Sequence, residues 1–260
     1  MIIDSHVHVG AWKYPPVEEY QAAMSGADVG FAVLAQFVGA ADNRYLARCV
    51  ERSPDRFAAI AMVEHETPGA AQQIARIAAT GSFVGIRLPA AARTPGADPL
   101  AVWRAIAAHG LVASVRGPLA DIAAPEFAEI VDEVPDLKMR LEHVGFTQFP
   151  AAGADRSHFD RFLQLATRPQ IHSMWAGFYA NSGAGYPYPD ADPFLRDLIA
   201  AFGAQRITWG GDWNQPDAAP GAYQAAVRHV LERPYLTSDD TRWILGGAAA
   251  ALFHLPGGAQ

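Results

Sequence analysis

The first ten residues, MIIDSHVHVG, carry two histidines one residue apart, His6 and His8, in a run that otherwise reads as a buried strand. Successive side chains of a strand point to opposite faces. Alternation therefore predicts Asp4, His6 and His8 on one face and Ile3, Ser5 and Val7 on the other. Two imidazoles on one face can bind a metal ion or hold a charged substrate; the plain alternative is a pair of satisfied core histidines. Other apolar runs also end in polar groups: Arg87 in Gly85-Ile86-Arg87, Arg116 in Ser114-Val115-Arg116, Glu142-His143 after Leu141, and Asp212-Trp213 after Gly210-Gly211. A charge in an apolar strand is costly unless it is paired or used. Asp212 suits a general base or a metal ligand, and the two glycines before it allow close backbone approach. Arg87 suits a substrate carboxylate, or a pair with Asp212 or Glu142; Arg116 suits a substrate carboxylate, or a loop start in solvent. His172, near the start of its strand, reads equally as a site residue and as a core histidine.

These residues need elements to place them. Short runs rich in Val, Ile and Phe alternate with Ala-rich segments of helical spacing. Strands are predicted at Ile2–Val9, Gly30–Phe37, Phe57–Met62, Phe83–Leu88, Val112–Arg116, Lys138–His143, Ile171–Trp175 and Arg206–Gly211. Helices are predicted at Val17–Ser25, Asn43–Glu51, Ala70–Ala79, Pro99–His109, Ala124–Glu133, Phe159–Thr167, Pro193–Phe202 and Ala222–Leu231. Eight strands, each followed by a helix, specify an α/β chain, a (β/α)8 TIM barrel over residues 1–260 read as one domain. An open doubly wound sheet would carry a Gly-rich phosphate turn after the first strand, and His8-Val9-Gly10-Ala11-Trp12 is none. Residues Thr241–Leu255 read as extra C-terminal helices on the outside of the barrel, and Pro256–Gln260 as a frayed end. In a barrel the carboxyl ends of the strands build the site, so the polar groups above converge on one rim. The loops Ala11–Pro16 and Phe178–Tyr188, rich in aromatics, Gly and Pro, are its predicted walls, with Trp12, Tyr179 and Trp213 toward the substrate.

The chain has 260 residues, half of them hydrophobic and 18% charged, with a net charge of −7. Such a composition excludes general nucleic-acid binding, which wants a basic face. One cysteine, Cys49, excludes an internal disulfide and reads as a small buried hydrophobe. Neither a secretory leader nor a membrane-spanning run is found, so a cytoplasmic protein with a small-molecule substrate, alone or as a homo-oligomer, is expected.

Asp4-Ser5-His6-Val7-His8, Gly85-Ile86-Arg87, Glu142-His143-Val144-Gly145, Gly210-Gly211-Asp212-Trp213 and the closing Ile244-Leu245-Gly246-Gly247-Ala248-Ala249 together resemble the amidohydrolase-2 group of the amidohydrolase superfamily. The resemblance runs the length of the chain and implies a (β/α)8 barrel acting on small cyclic or carboxylated compounds. It is strongest to the sugar-lactone and pyrone-dicarboxylate lactonases. There His6, His8, Arg87 and His143 would surround a lactone, and Asp212 would act as general base on water. Met174 stands where those lactonases have a lysine. The other branch, the non-oxidative decarboxylases, implies zinc or manganese held by His6, His8, a strand-five histidine and Asp212. Here Arg116 stands where that histidine would be. A guanidinium is a poor neighbour for a divalent cation and a good one for a carboxylate. His172 could be a fourth ligand in its place.

Overall fold

The computed structural model describes residues 1–10, 13–149, 155–213 and 221–256. Eight parallel strands follow one another around the sheet in chain order: β1 Ile2–Val7, β2 Val29–Ala35, β3 Phe57–Met62, β4 Phe83–Pro89, β5 Val112–Arg116, β6 Met139–Leu141, β7 Ile171–Trp175 and β8 Ile207–Trp209. The fold is the predicted (β/α)8 barrel. Between the strands lie α1 Val17–Ser25, α2 Arg44–Arg52, α3 Ala70–Ala78, α4 Ala101–Ala108, α5 Leu119–Ile122, α6 Pro125–Glu133, a single turn α7 His143–Phe146, α8 Ser157–Gln164, α9 Phe178–Asn181 and α10 Asp192–Phe202. After β8 come α11 Ala222–Leu231, α12 Ser238–Arg242 and α13 Ala248–Phe253. Cys49 is buried in α2, as a small hydrophobe should be. Among the described residues no helix is long and apolar enough to cross a membrane.

Strand β1 departs from plain alternation. Asp4 pairs with Ala32 and Val7 with Leu34, so three steps on β1 match two on β2. The extra residue is a bulge, which breaks the two-residue period. Ser5 and His6 therefore both reach Arg140 in the lumen. Asp4 instead turns to the helix layer and accepts from the hydroxyls of Tyr20 in α1 and Tyr223 in α11. The predicted face of Asp4, His6 and His8 is thus corrected to one of Ser5, His6 and His8.

The end of the C-terminal segment, α13, does not lie on the barrel's outside, whereas Ile244 and Leu245 before it belong to the strand–helix core. Ala249, Leu252 and Phe253 of α13 pack with Ile3, Phe31, Val33, Ile60 and Val112, the apolar lumen residues near the strand starts. The segment is a plug at the floor of the barrel, the end opposite the site. Close packing explains Gly246: a Cβ there would lie 2.3 Å from the Met1 carbonyl oxygen. Replacing Gly246 by Ala should cost about 1–3 kcal/mol through overpacking. Gly69→Ala, where nothing lies within 4 Å, should change stability by less than about 0.5 kcal/mol. Equal urea midpoints for the two variants would show that the plug is loosely seated.

Candidate active site

Two strand ends bring the first site residues together. Asp4 accepts from the Gly211 N–H at 2.8 Å, and the His6 carbonyl accepts from the Asp212 N–H at 3.0 Å. These bonds stitch β1 to the residues after β8. The seam is tight: a Cβ on Gly210 would lie 3.0 Å from His6 Cβ, and one on Gly211 would lie 2.7 Å from Asp4 Oδ2. The glycines serve this strand-to-strand approach. As a result one ligand atom from each of His6, His8 and Asp212 falls within 4.8 Å of the others. The Asp212 carboxylate accepts from the Tyr179 hydroxyl at 2.6 Å. Burial, then the Asp212 charge, pushes the Tyr179 phenol up, so it stays protonated and a donor.

His143 arrives from a strained turn. His143, Val144 and Phe146 all take positive φ, near 51–53°, which costs L-residues roughly 1–2 kcal/mol each. Strain of this kind persists only where the surroundings hold it, and it concentrates at functional sites. Here the Gly145 N–H bonds the Glu142 carbonyl, and the Thr147 hydroxyl bonds the Val144 carbonyl. The His143 ring lies 5.1 Å from the His6 ring and 4.6 Å from that of Phe146. Gly177 makes room for it, since a Cβ there would lie 2.8 Å from His143 Nδ1.

Below the histidines lies a buried charge network. Glu142 is fully buried and accepts two bonds from Arg87 Nε, at 3.0 and 3.1 Å, and one from Arg87 Nη2 at 2.8 Å. Ser114 donates to its Oε1 at 2.6 Å. Burial alone would raise the Glu142 carboxyl, but the Arg87 charge and its hydrogen bonds hold it well below the usual range. Arg87 spends its remaining contact on the Gln36 carbonyl. Of the partners predicted for Arg87, Glu142 is the one it meets. Arg140, unnoticed in the sequence, bonds Ser5 and Ser114 in the same layer. Its place two residues before Glu142 was the available signal.

Above this layer a cleft of about 200 Å³ opens between His8, Arg87, His143, Tyr179 and Asp212. Lys13, Tyr14, Phe37 and Val38 close its other side. The Ala11–Pro16 loop is therefore a wall through Lys13 and Tyr14, whereas Trp12 lies outside the described residues. In the second predicted wall Tyr179 lines the cleft, while Tyr186 and Tyr188 pack on each other and on their neighbours. Arg116 stands two residues above lumen-facing Ser114, half-buried, its Nε without a partner among the described residues. Burial, then nearby Arg87, lowers its pKa, and it meets no carboxylate there within salt-bridge distance. Trp213 does not line the cleft and packs on Tyr20 at 5.3 Å. His172 does not join the ligand group. Its Nδ1 lies 3.3 Å from the Gln170 carbonyl. Lys138 and Arg206, at neighbouring strand starts, are close enough to act on its charge.

The histidines are neutral, and their neighbours set where the proton sits. Burial, then Arg87, pushes His8 down to about 4. Burial likewise depresses His6 and His143. His8 Nδ1 lies 2.7 Å from the Ala35 carbonyl, an acceptor, so Nδ1 carries the hydrogen and Nε2 is bare. A bare Nε2 accepts and does not donate, so His8 does not polarise a carbonyl through a hydrogen bond. His6 Nδ1 instead faces a donor, Arg140 Nη2, at 3.3 Å. A metal ion held by His6, His8 and Asp212 would find a ready lone pair on His8. On His6, a metal on Nε2 would put the ring proton on Nδ1, against the Arg140 donor 3.3 Å away. With His6 so placed and two guanidiniums in the layer below, the residues do not fit a resident cation, and no step below is routed through one.

The protein-family model described as Amidohydrolase matches residues 3–255, so the chain belongs to that family of enzymes. It is 26% identical to the L-fucono-1,5-lactonase of Burkholderia ambifaria over 234 residues, 84% of this chain and 78% of that protein. A crystal structure from Pseudomonas putida described as a 2-pyrone-4,6-dicarboxylic acid hydrolase matches with a TM-score of 0.82 at 23% identity, covering 97% of each chain. A second so described, from Acinetobacter baumannii with citric acid bound, gives 0.78 at 18% identity over 98% of this chain and 99% of that one.

Two outcomes test the site's electrostatics. Glu142→Gln strands Arg87 and Arg140 without a counter-charge and should cost about 3–5 kcal/mol in urea unfolding; an unchanged midpoint would show the pairing is dispensable. Stability should also fall as pH drops from 6.5 to 4. His8, His172 and His229 are each depressed by burial to about 4. Between those values the unfolded chain binds protons that the folded one does not, so acid favours unfolding. Asp4, raised by burial to about 6, acts in the opposite sense but as one group against several. A flat urea midpoint across this window would contradict the assignment.

Proposed function

We propose that this enzyme hydrolyses the ring ester of a small carboxylated lactone. The observation that carries the reading is the Asp212 carboxylate beside His8 in a cleft that cationic Lys13 and Arg87 also line. Asp212 takes a proton from water as the water oxygen bonds to the ring carbonyl carbon, and returns it to the ring oxygen as the ring C–O bond breaks; the bare Nε2 of His8 orients that water beside Asp212. His143, which lines the cleft, and His6 behind it would donate to the carbonyl oxygen, where charge develops and fixed donors contribute most. Arg116 takes the substrate carboxylate through parallel hydrogen bonds, while Arg87 is held by Glu142 and supports the floor. The relatives support the choice: one is named for a lactone, another for a pyrone ring bearing two carboxylates, and a third holds citric acid. If a divalent metal such as zinc or manganese is nonetheless required, chelation will show it. Activity is expected to survive dialysis against a chelator, and restoration of a lost activity by added zinc would overturn this part.

Asp212→Asn should keep the fold and lose about 10²–10⁴ in turnover; near-full turnover would make Asp212 structural. Arg116→Met should raise KM for a carboxylated lactone by the equivalent of roughly 1.5–3 kcal/mol and spare the methyl ester. Equal losses on both would point to a scaffold role. In ¹⁸O-labelled water the product carboxylate should carry label. Release of carbon dioxide with no label would replace this reading with a carboxy-lyase one.

A further inference from the structure

We propose that Arg140 is a positioning residue that locks His6 in its Nε2-protonated tautomer, so that His6 presents an N–H to the substrate's carbonyl oxygen. Its catalytic part rests on the ring-ester reading above. Arg140 is fully buried in β6. Its Nη1 donates to the Ser5 carbonyl at 2.5 Å and to Ser5 Oγ at 3.1 Å. Its Nη2 donates to Ser114 Oγ at 2.6 Å and faces His6 Nδ1 at 3.3 Å. A guanidinium has donors and no acceptor. The contact to His6 therefore forms only if Nδ1 holds a lone pair. A neutral imidazole must then carry its single proton on Nε2.

The opposite end of the ring agrees. His6 Nε2 is buried with no partner among the described residues. A buried N–H without a partner is costly, so it needs a use. One use is available, because His6 shares a 4.8 Å group with His8 and Asp212. A competing influence is Glu142, whose Oε1 would favour a proton on Nδ1. It lies 3.9 Å from Nδ1, beyond hydrogen-bond range, and already accepts from Ser114 and Arg87. Two adjacent rings, 4.8 Å apart, thus hold opposite tautomers: His8 bare and His6 protonated at Nε2. One accepts and the other donates. Arg140 is itself braced from below by the Phe253 ring, 5.3 Å from its guanidinium carbon. The C-terminal plug therefore reaches the site through one side chain.

The test is long-range ¹H–¹⁵N correlation spectroscopy on histidine-labelled protein, with His6 assigned by its loss in His6→Gln. The wild type should show His6 as the Nε2–H tautomer. Arg140→Met should move His6 toward the Nδ1–H form. It should lower kcat on a carboxylated lactone by about 10–100-fold with KM little changed, less than the 10²–10³ for removing an oxyanion donor outright. Arg140→Lys, which keeps a donor, should recover part of both. Wild-type His6 in the Nδ1–H form would overturn the proposal, as would Arg140→Met with tautomer and kcat both intact. If Arg140→Met does not fold, the wild-type spectrum decides, since it needs neither that variant nor a substrate. The expected tautomer in an enzyme that releases carbon dioxide would support the positioning and overturn only the ring-ester reading.

Discussion

Where the first strand meets the eighth, the Asp4 carboxylate is fully buried and accepts four hydrogen bonds, from the backbone of His6 and Gly211 and from the hydroxyls of Tyr20 and Tyr223. Burial still raises its pKa to about 6 against all four. Two helices and two strand ends are tied to one side chain. His6 and Asp212 are neighbours because the seam closes there. There one ligand atom from each of His6, His8 and Asp212 lies within 4.8 Å of the others.

Charge balance in the lumen is the second constraint. Arg87, Arg140 and Glu142 lie in one layer, with one carboxylate for two guanidiniums. Burying ions is expensive unless geometry and hydrogen bonds compensate. Ser114 completes the compensation by accepting from Arg140 and donating to Glu142. Burial keeps the histidines above it neutral, with the Arg87 charge acting in the same sense, and the surplus positive charge favours an anionic guest in the cleft. Stability and function here draw on the same arrangement.

Much of this was legible in the residues. The alternation of β-rich and Ala-rich runs specified the barrel, and β3, β5 and β7 fall where periodicity places them. The convergence of His6, His8, His143 and Asp212 on one mouth followed from the barrel rule that strand ends build the site. Other features escaped. Alternation put Asp4 beside His6 because it cannot see a bulge, which is a property of two paired strands rather than one. Arg140 looked unremarkable between Met139 and Leu141, since its partners Ser5, His6 and Ser114 come from other strands.

The sequence by itself therefore determined the architecture and the chemical inventory: imidazoles, a carboxylate after two glycines, and arginines at strand ends. These depend on period and residue type, which are local. Only the tertiary structure decided the pairings: Glu142 with Arg87, Tyr179 with Asp212, and the floor plugged by α13. It also decided which nitrogen of each histidine holds the proton. A neutral imidazole can carry its proton on either nitrogen, and the choice between them is made by whatever donor or acceptor lies about 3 Å away. In this barrel those neighbours are Ala35 for His8 and Arg140 for His6, one 27 and the other 134 positions along the chain.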